Sequence, residues 1–203
     1  TIDMVTFDGK MMALPGTNAD NNVPVLCWIR KDWLDKLNLN PDEDGDLQIT
    51  LEDVENVAKQ FIETDVSGQG TIGIALSEGV GDSEIFANAN GGFVDKWIDN
   101  GDGTIRWSTL SDANKNTWQL LNRWFEEGIL DPQFGTRTYD DVTALLIENK
   151  TGIAFGAWHM PDWRFSHVKD ANPETEYIAY TVVDNNGIVN TFHENNTSNF
   201  IVV

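Results

Sequence analysis

The chain has 203 residues, 33 of them acidic and 13 basic, for a formal net charge of −20. That length can bury a core without disulfide or metal staples, as one large domain or two small ones. A 40% hydrophobic and 10% aromatic composition excludes a disordered tail, and the acidity argues against nucleic acid or an anionic membrane surface as partner.

Taken in chain order, the pattern alternates strands with helices. Asp8-Gly9 marks a turn before a short strand over 10–14, stopped by Pro15. A polar loop over 16–22 leads into the apolar run 23–29, read as a buried strand. Residues 31–37 form a short helix with Trp33, Leu34 and Leu37 on one side, followed by an acidic, turn-rich loop over 38–46. Thr50-Leu51-Glu52-Asp53 is a capping box with Asp in place of Glu. It opens a helix whose core face is Leu51, Val54, Val57, Ala58 and Phe61. A tight loop over 65–70 precedes a strand at 71–76, and a short helix is expected over 84–90. A hairpin joins 96–98 to 104–107. Ser111 caps the longest helix, to about Glu127, with a stripe of Trp118, Leu121 and Phe125 and with Gly128 as its stop. A helix over 139–149, a strand over 152–155, a helix over 161–168 and strands over 177–183 and 199–203 complete the chain. This alternation predicts an α/β domain with a mostly parallel central sheet flanked by helices.

Cys27, the single cysteine, excludes an internal disulfide framework and a Cys-rich zinc site, and reads as a buried inert thiol. No apolar run reaches the length of about 18 residues that a membrane span needs. The chain does not start with Met and closes on the strand-like Asn199-Phe200-Ile201-Val202-Val203, so it is expected to be a piece of a longer protein.

No phosphate-binding loop, dinucleotide fingerprint, HExxH or GxSxG is present. His159, His167 and His193 lack metal-ligand spacing. A glycosidase-like carboxylate pair stays open among so many acids, but no pair stands out. The eight tryptophans are more informative. Trp33, Trp118 and Trp124 are expected in the core. Trp158 and Trp163 lie beyond the end of the 152–155 strand, where open α/β sheets bind ligands. Gly156 and Ala157 would let a ligand come close. An indole face stacks on the C–H face of a sugar, and neighbouring polar groups such as His159 and Asp162 take its hydroxyls. The competing reading is a Trp that plugs the sheet end. Asp20 and Asn22, between the first two strands, and Glu84, Phe86, Asn88 and Asn90, after the 71–76 strand, could converge on the same rim. Asp65, Ser67, Gln69 and Thr71 place oxygens at every second position, like the start of a calcium loop, but the final acidic ligands are missing: Gly73 and Ile74 stand there. No cofactor is expected, and calcium is a weak candidate.

Several segments resemble one family. Trp28-Ile29-Arg30-Lys31-Asp32-Trp33-Leu34-Asp35-Lys36-Leu37 is similar to a stretch of extracellular solute-binding proteins, family 1, and more narrowly of lipoproteins that feed oligosaccharide ABC transporters in Firmicutes and relatives. Residues 8–15, 52–70, 121–132 and 152–158 resemble further family segments in the right order. The resemblance implies a type II periplasmic-binding-protein-like bilobal fold with ligand held in a cleft. Residues 1–203 would be a single lobe, the second, bounded by hinge strands near 10–29 and 199–203. The rest of the protein would supply the N-terminal lobe, and a missing N-terminal Cys would anchor it as a cell-surface lipoprotein beside an ABC permease. In sugar-binding relatives the Trp matching Trp158 stacks on the ligand, and the region matching 84–90 lines the cleft. Relatives that bind alginate oligosaccharides carry calcium on a loop that Asp65 matches, whereas Ser67, Gln69, Gly73 and Ile74 depart from it. The reading that follows is an oligosaccharide-binding lobe of an ABC importer, extracytoplasmic and not an enzyme. Its alternative is a carbohydrate-active enzyme or an accessory sugar-binding module.

Overall fold

The computed structural model describes residues 2–17, 25–78, 83–192 and 197–201. The chain forms two units, Thr1–Pro24 with Thr191–Val203, and Val25–Asn190.

In the first unit, β1 (Thr6–Phe7) and β2 (Lys10–Met11) pair antiparallel about the Asp8-Gly9 turn, where both residues have positive φ. β3 (Leu14–Thr17) pairs antiparallel with the last strand of the chain, Thr197–Ile201, in a two-stranded ribbon. Pro15 therefore does not stop a strand. It sits within β3 opposite Phe200, a position open to proline because each strand of a ribbon keeps one unpaired edge. Phe7, Met11, Met12, Leu14, Phe200 and Ile201 are all exposed.

The second unit is built on β4 (Leu26–Arg30), α1 (Lys31–Leu37), β5 (Gln48–Ile49), α2 (Leu51–Glu63), α3 (Glu84–Ala89), the hairpin β6 (Trp97–Asp99) and β7 (Ile105–Trp107), α4 (Asp112–Glu126), α5 (Tyr139–Ile147), β8 (Ile153–Gly156), α6 (Arg164–Ala171) and β9 (Tyr177–Val182); β10 is the ribbon strand Thr197–Ile201. Its four-stranded sheet has the order β5-β9-β4-β8. The period-2 alternation of strand side chains sorts the core into two layers. Cys27, Ile29, Ile153, Phe155, Tyr180 and Val182 face one way, onto Trp33 of α1, Val54 and Phe61 of α2, Phe86 of α3 and Trp124 of α4. Trp28 and Ala154 face the other way, onto Leu146 of α5 and onto Phe165 and Val168 of α6. This is the expected α/β sheet flanked by helices.

The strand directions differ from expectation. β4 is antiparallel to both β8 and β9, and only β5 runs parallel to its neighbour β9. Helices between successive strands suggested parallel crossovers, but β4 pairs with strands far along the chain, and those long connections allow either direction. Residues 71–76 are not a strand. Their backbone pairs only in two isolated parallel bridges, Ile72 to Thr151 and Ile74 to Leu130, while Ile74 and Leu76 are buried in the core.

The caps follow the sequence. Thr50 Oγ1 accepts from the Asp53 N–H at 3.2 Å while Asp53 Oδ2 accepts from the Thr50 N–H at 2.8 Å, closing the capping box of α2. Ser111 caps α4 through the Asn114 N–H. The buried face of α4 is Asn114, Thr117, Leu121 and Trp124. Trp118 and Phe125 lie one residue round that face and are 36% and 45% exposed, so neither belongs to the core stripe expected of them. α2 and α4 are clasped by Glu55. Its carboxylate accepts two hydrogen bonds from Arg123, at 2.7 and 2.6 Å, and one from the buried Trp124 Nε1 at 2.7 Å. Arg123 first, then Lys59 and Trp124, hold the Glu55 carboxyl down at about 2 against the opposing effect of burial.

Candidate functional site

β8 ends at Gly156, whose carbonyl accepts from Trp28 Nε1 at 3.0 Å. From there the chain folds on itself in consecutive tight turns. The N–H of Met160 donates to Ala157 O, that of Asp162 to His159 O, and that of Trp163 to Met160 O, at 3.1, 3.1 and 3.3 Å. Pro161 sets the backbone at the start of this short 3₁₀ segment. Met160 is driven inward among Trp28, Ala154 and Phe165. A Cβ at Gly156 would stand 2.5 Å from Met160 Sδ. The small residue thus makes room for Met160, and not for a ligand as the sequence suggested.

Burying Met160 leaves its neighbours outside. Trp158 is 55% exposed and Trp163 is 64% exposed, and His159 and Asp162 are exposed as well. Trp158 meets His159 edge to face, with ring centroids 5.6 Å apart. Neither indole plugs the sheet end. The loop offers two aromatic faces, an imidazole and a carboxylate to solvent, on a backbone fixed by its own turns. Such groups can stack on an apolar ligand face and hydrogen-bond to its hydroxyls.

α3 packs beside the strand that carries this loop. Phe86 lies edge to face with Phe155 at 4.9 Å and with Trp124 at 5.4 Å. It is wholly buried, so it is a core residue and has no surface to give a ligand. Asn90 is held by its own neighbourhood: its Nδ2 donates to Phe86 O at 2.9 Å and to Thr117 Oγ1 at 3.1 Å. Glu84 and Asn88 are half-buried. The Asn88 Oδ1 is buried and has no hydrogen-bond partner among the described residues. Asp20 and Asn22 lie outside the described residues.

The loop after α2 is of another kind. Asp65, at φ 41°, turns one carboxylate oxygen onto its own loop, where it accepts from the N–H groups of Gly70 at 3.0 Å and Thr71 at 2.9 Å. The Thr71 and Ser67 hydroxyls lie 3.0 and 3.2 Å from the same oxygen. The Thr71 hydroxyl, then the backbone N–H groups, hold the Asp65 carboxyl below the usual range. A second acidic loop brings Asp42, Asp44 and Asp46 together. Asp42 uses both oxygens on the N–H groups of Gly45, Asp46 and Leu47, and the charge of Asp46 pushes the Asp44 carboxyl up. These acids close turns.

Sequence reasoning missed one surface. Trp118 lines an open groove with Leu110, Lys115, Gln119 and Asn122. The 114, 117, 121 and 124 positions, taken as one helical face, would have turned Trp118 outward. Among the described residues, no helix is long and apolar enough to cross a membrane.

No family model matches the chain, and no curated protein matches it. Solved structures do. An extracellular solute-binding protein from Bifidobacterium longum subsp. infantis aligns at 25% identity over 90% of this chain and 38% of its own, with a TM-score of 0.64. The Streptococcus pneumoniae ABC-transporter substrate-binding protein FusA, an EF-hand mutant in complex with fructo-nystose, aligns at 20% identity over 99% of this chain and 42% of its own, at 0.67. The alginate-binding protein AlgQ2 without calcium ion aligns at 22% identity over 85% of this chain and 35% of its own, at 0.62. The chain thus spans roughly two-fifths of these proteins, and its fold is that of one lobe of a solute-binding protein.

Proposed function

We propose that this chain is the ligand-binding lobe of an extracytoplasmic solute-binding protein of an ABC importer, and that it takes an oligosaccharide against Trp158. The observation that carries the reading is the exposure of Trp158 and Trp163 on a turn-locked loop at the end of β8. The likeness to solved proteins in complex with fructo-nystose, kestose and laminaribiose supports it. His159 and Asp162 flank the indoles and would take sugar hydroxyls, with Glu84 and Asn88 as further candidates on α3. The mechanism is binding without turnover. Ligand held between this lobe and a second one would shift an open–closed equilibrium, which a permease then reads.

Residues 1–203 are proposed as a single lobe, with the strands near 10–29 and 199–203 leading to the other. The exposed apolar side chains of β1 to β3 and of Phe200 and Ile201 support that assignment, since apolar patches of this kind mark an interface. A Firmicutes-type lipoprotein tethered outside the membrane is the corresponding location. A carbohydrate-active enzyme is the less favoured reading. The acids whose proton affinity is lowered, Asp42, Glu55, Asp65, Asp102, Asp141 and Asp184, are each held by donors of their own turns, caps or helix clasp.

Calorimetric titration with fructo-, laminari- and alginate oligosaccharides, with Trp158→Ala alongside, tests the proposal. One sugar class should bind, and the variant should lose about tenfold or more in affinity while its melting temperature stays within about 1 °C. Binding unchanged in the variant would move the site elsewhere. Cleavage of the sugar, followed by chromatography, would replace the reading with an enzyme.

A further inference from the structure

We infer that the loop after α2 is a calcium loop closed without calcium, its metal replaced by hydroxyl and backbone donors and its ligand positions taken over by the core. Counted from Asp65, a twelve-residue calcium loop needs oxygens at its first, third, fifth, seventh and ninth places, a bidentate Glu at the twelfth, and a glycine at the sixth. Asp65 stands first, and Gly70 stands sixth with φ 82°. Ser67 and Gln69 are third and fifth, and the Thr71 carbonyl would be seventh. The first half of the loop therefore keeps oxygens at its odd places and a left-handed glycine at the sixth.

The second half cannot hold a cation. Gly73 stands ninth, and a Cβ there would lie 2.7 Å from Ile129 O and 2.7 Å from Ile62 Cδ1. No side chain, acidic or other, fits without moving backbone. Leu76 stands twelfth and is wholly buried, as is Ile74. Both belong to the main core beside Phe61 and Ile129. A carboxylate at either place would have to leave water for an apolar interior.

What a cation would neutralise is met within the loop. One Asp65 oxygen accepts from the Gly70 and Thr71 N–H groups and lies within reach of two hydroxyls. The Ser67 N–H donates to Thr71 Oγ1 at 3.1 Å, and the Gln69 N–H to Ser67 Oγ at 3.1 Å. Ser67 and Thr71 thus stand in for the ion: each hydroxyl links the carboxylate side of the loop to a backbone donor. Among solved proteins of this fold are AlgQ2, studied without calcium ion, and FusA, as an EF-hand mutant. In this chain the donor set does not fit the ion.

The test is the melting temperature of the chain by scanning calorimetry in EDTA, in millimolar CaCl₂ and in equal MgCl₂, with terbium luminescence of the parent chain and of Asp65→Asn as the probe of the loop, since Asp42, Asp44 and Asp46 form a second acidic group. This inference does not rest on the sugar reading, because no sugar enters the measurement. The expected result is one melting temperature in EDTA, and equal values in the two divalent salts. A site filled to a thousandfold over its Kd would instead raise it by about 8–16 °C. Thr71→Val should lower melting by about 2–4 °C, equally with and without calcium. A Ser67→Asp, Gln69→Asp variant should gain no calcium dependence, since the ninth and twelfth places stay closed. Calcium stabilisation beyond that of magnesium, or terbium emission quenched by calcium, that is present in the parent chain and lost in Asp65→Asn would overturn the inference.

Discussion

The loop over 65–71 and the loop over 157–163 treat their side chains in opposite ways. The first is polar, and its polar groups bond to one another: Asp65, Ser67 and Thr71 form a closed set with the loop's own backbone. The second is aromatic, and its turns are closed by main chain alone, so that Trp158, His159, Asp162 and Trp163 remain available to solvent. Both are rigid. The first commits one Asp65 oxygen and both of its hydroxyls to itself, whereas the second turns two indoles, an imidazole and a carboxylate to solvent. Polar residues in a pattern do not make a site unless their hydrogen-bonding capacity is free, and exposed tryptophans on a fixed backbone point to one more directly.

The largest effect should come from the scaffold common to both loops. Glu55→Ala leaves Trp124 Nε1 and the Arg123 guanidinium without their acceptor, and should lower the melting temperature by about 5–10 °C. Circular-dichroism melting checks it. If sugar affinity at a temperature well below the transition falls with it, the contrast between scaffold and site fails. Acidification tests the same clasp by another route. The Glu55 carboxyl is depressed to about 2, so its contribution is full above the ordinary glutamate range and is lost as pH falls through about 2. The gap in stability between the parent chain and Glu55→Gln should therefore narrow as pH drops from about 4.5 toward 2.

A smaller effect probes how the aromatic loop is held. Gly156→Ala places a methyl group against Met160 and should cost about 1–2 kcal/mol. Met160→Ala removes a buried side chain and should cost about 2 kcal/mol. Because the clash needs both residues, the double variant should be more stable than the sum of the two by at least about 0.5 kcal/mol, as read from urea melts. Strict additivity would mean that Met160 does not dictate the glycine. Sugar affinity should fall in Gly156→Ala, since Trp158 and Trp163 are carried by the turns that Met160 anchors.

The parts of this molecule that could be read from its sequence are those set by near neighbours. The boundaries of α1, the capping box of Thr50 and Asp53, and the cap of α4 at Ser111 each depend on residues within one turn, and each appears where the sequence puts it. What depends on distant partners could not be read so well. The direction of β4 is set by β8 and β9, more than a hundred residues on. Residues 71–76 look like a strand but meet only isolated bridges. Among the proposed site residues, Trp158 and Trp163 are exposed, whereas Phe86, on the same helix as Asn88, points into the core. A helix of six residues carries too little periodicity to tell its two faces apart.

The smallest effect concerns the polar loop in acid. The donors on Asp65 lower its proton affinity in the folded chain, so its contribution to stability is full at and above the ordinary aspartate range and disappears as pH falls through the lowered value. Asp65→Asn keeps one carbonyl acceptor for the Gly70 and Thr71 N–H groups but loses the charge. At neutral pH it should melt about 1–3 °C below the parent chain. As pH falls below about 3.9, the two should converge. Sugar affinity should be the same in both at every pH, because the Asp65 oxygen that the substitution alters is engaged by its own loop. A change in affinity without a change in melting would place Asp65 in the binding site and undo the distinction between the two loops.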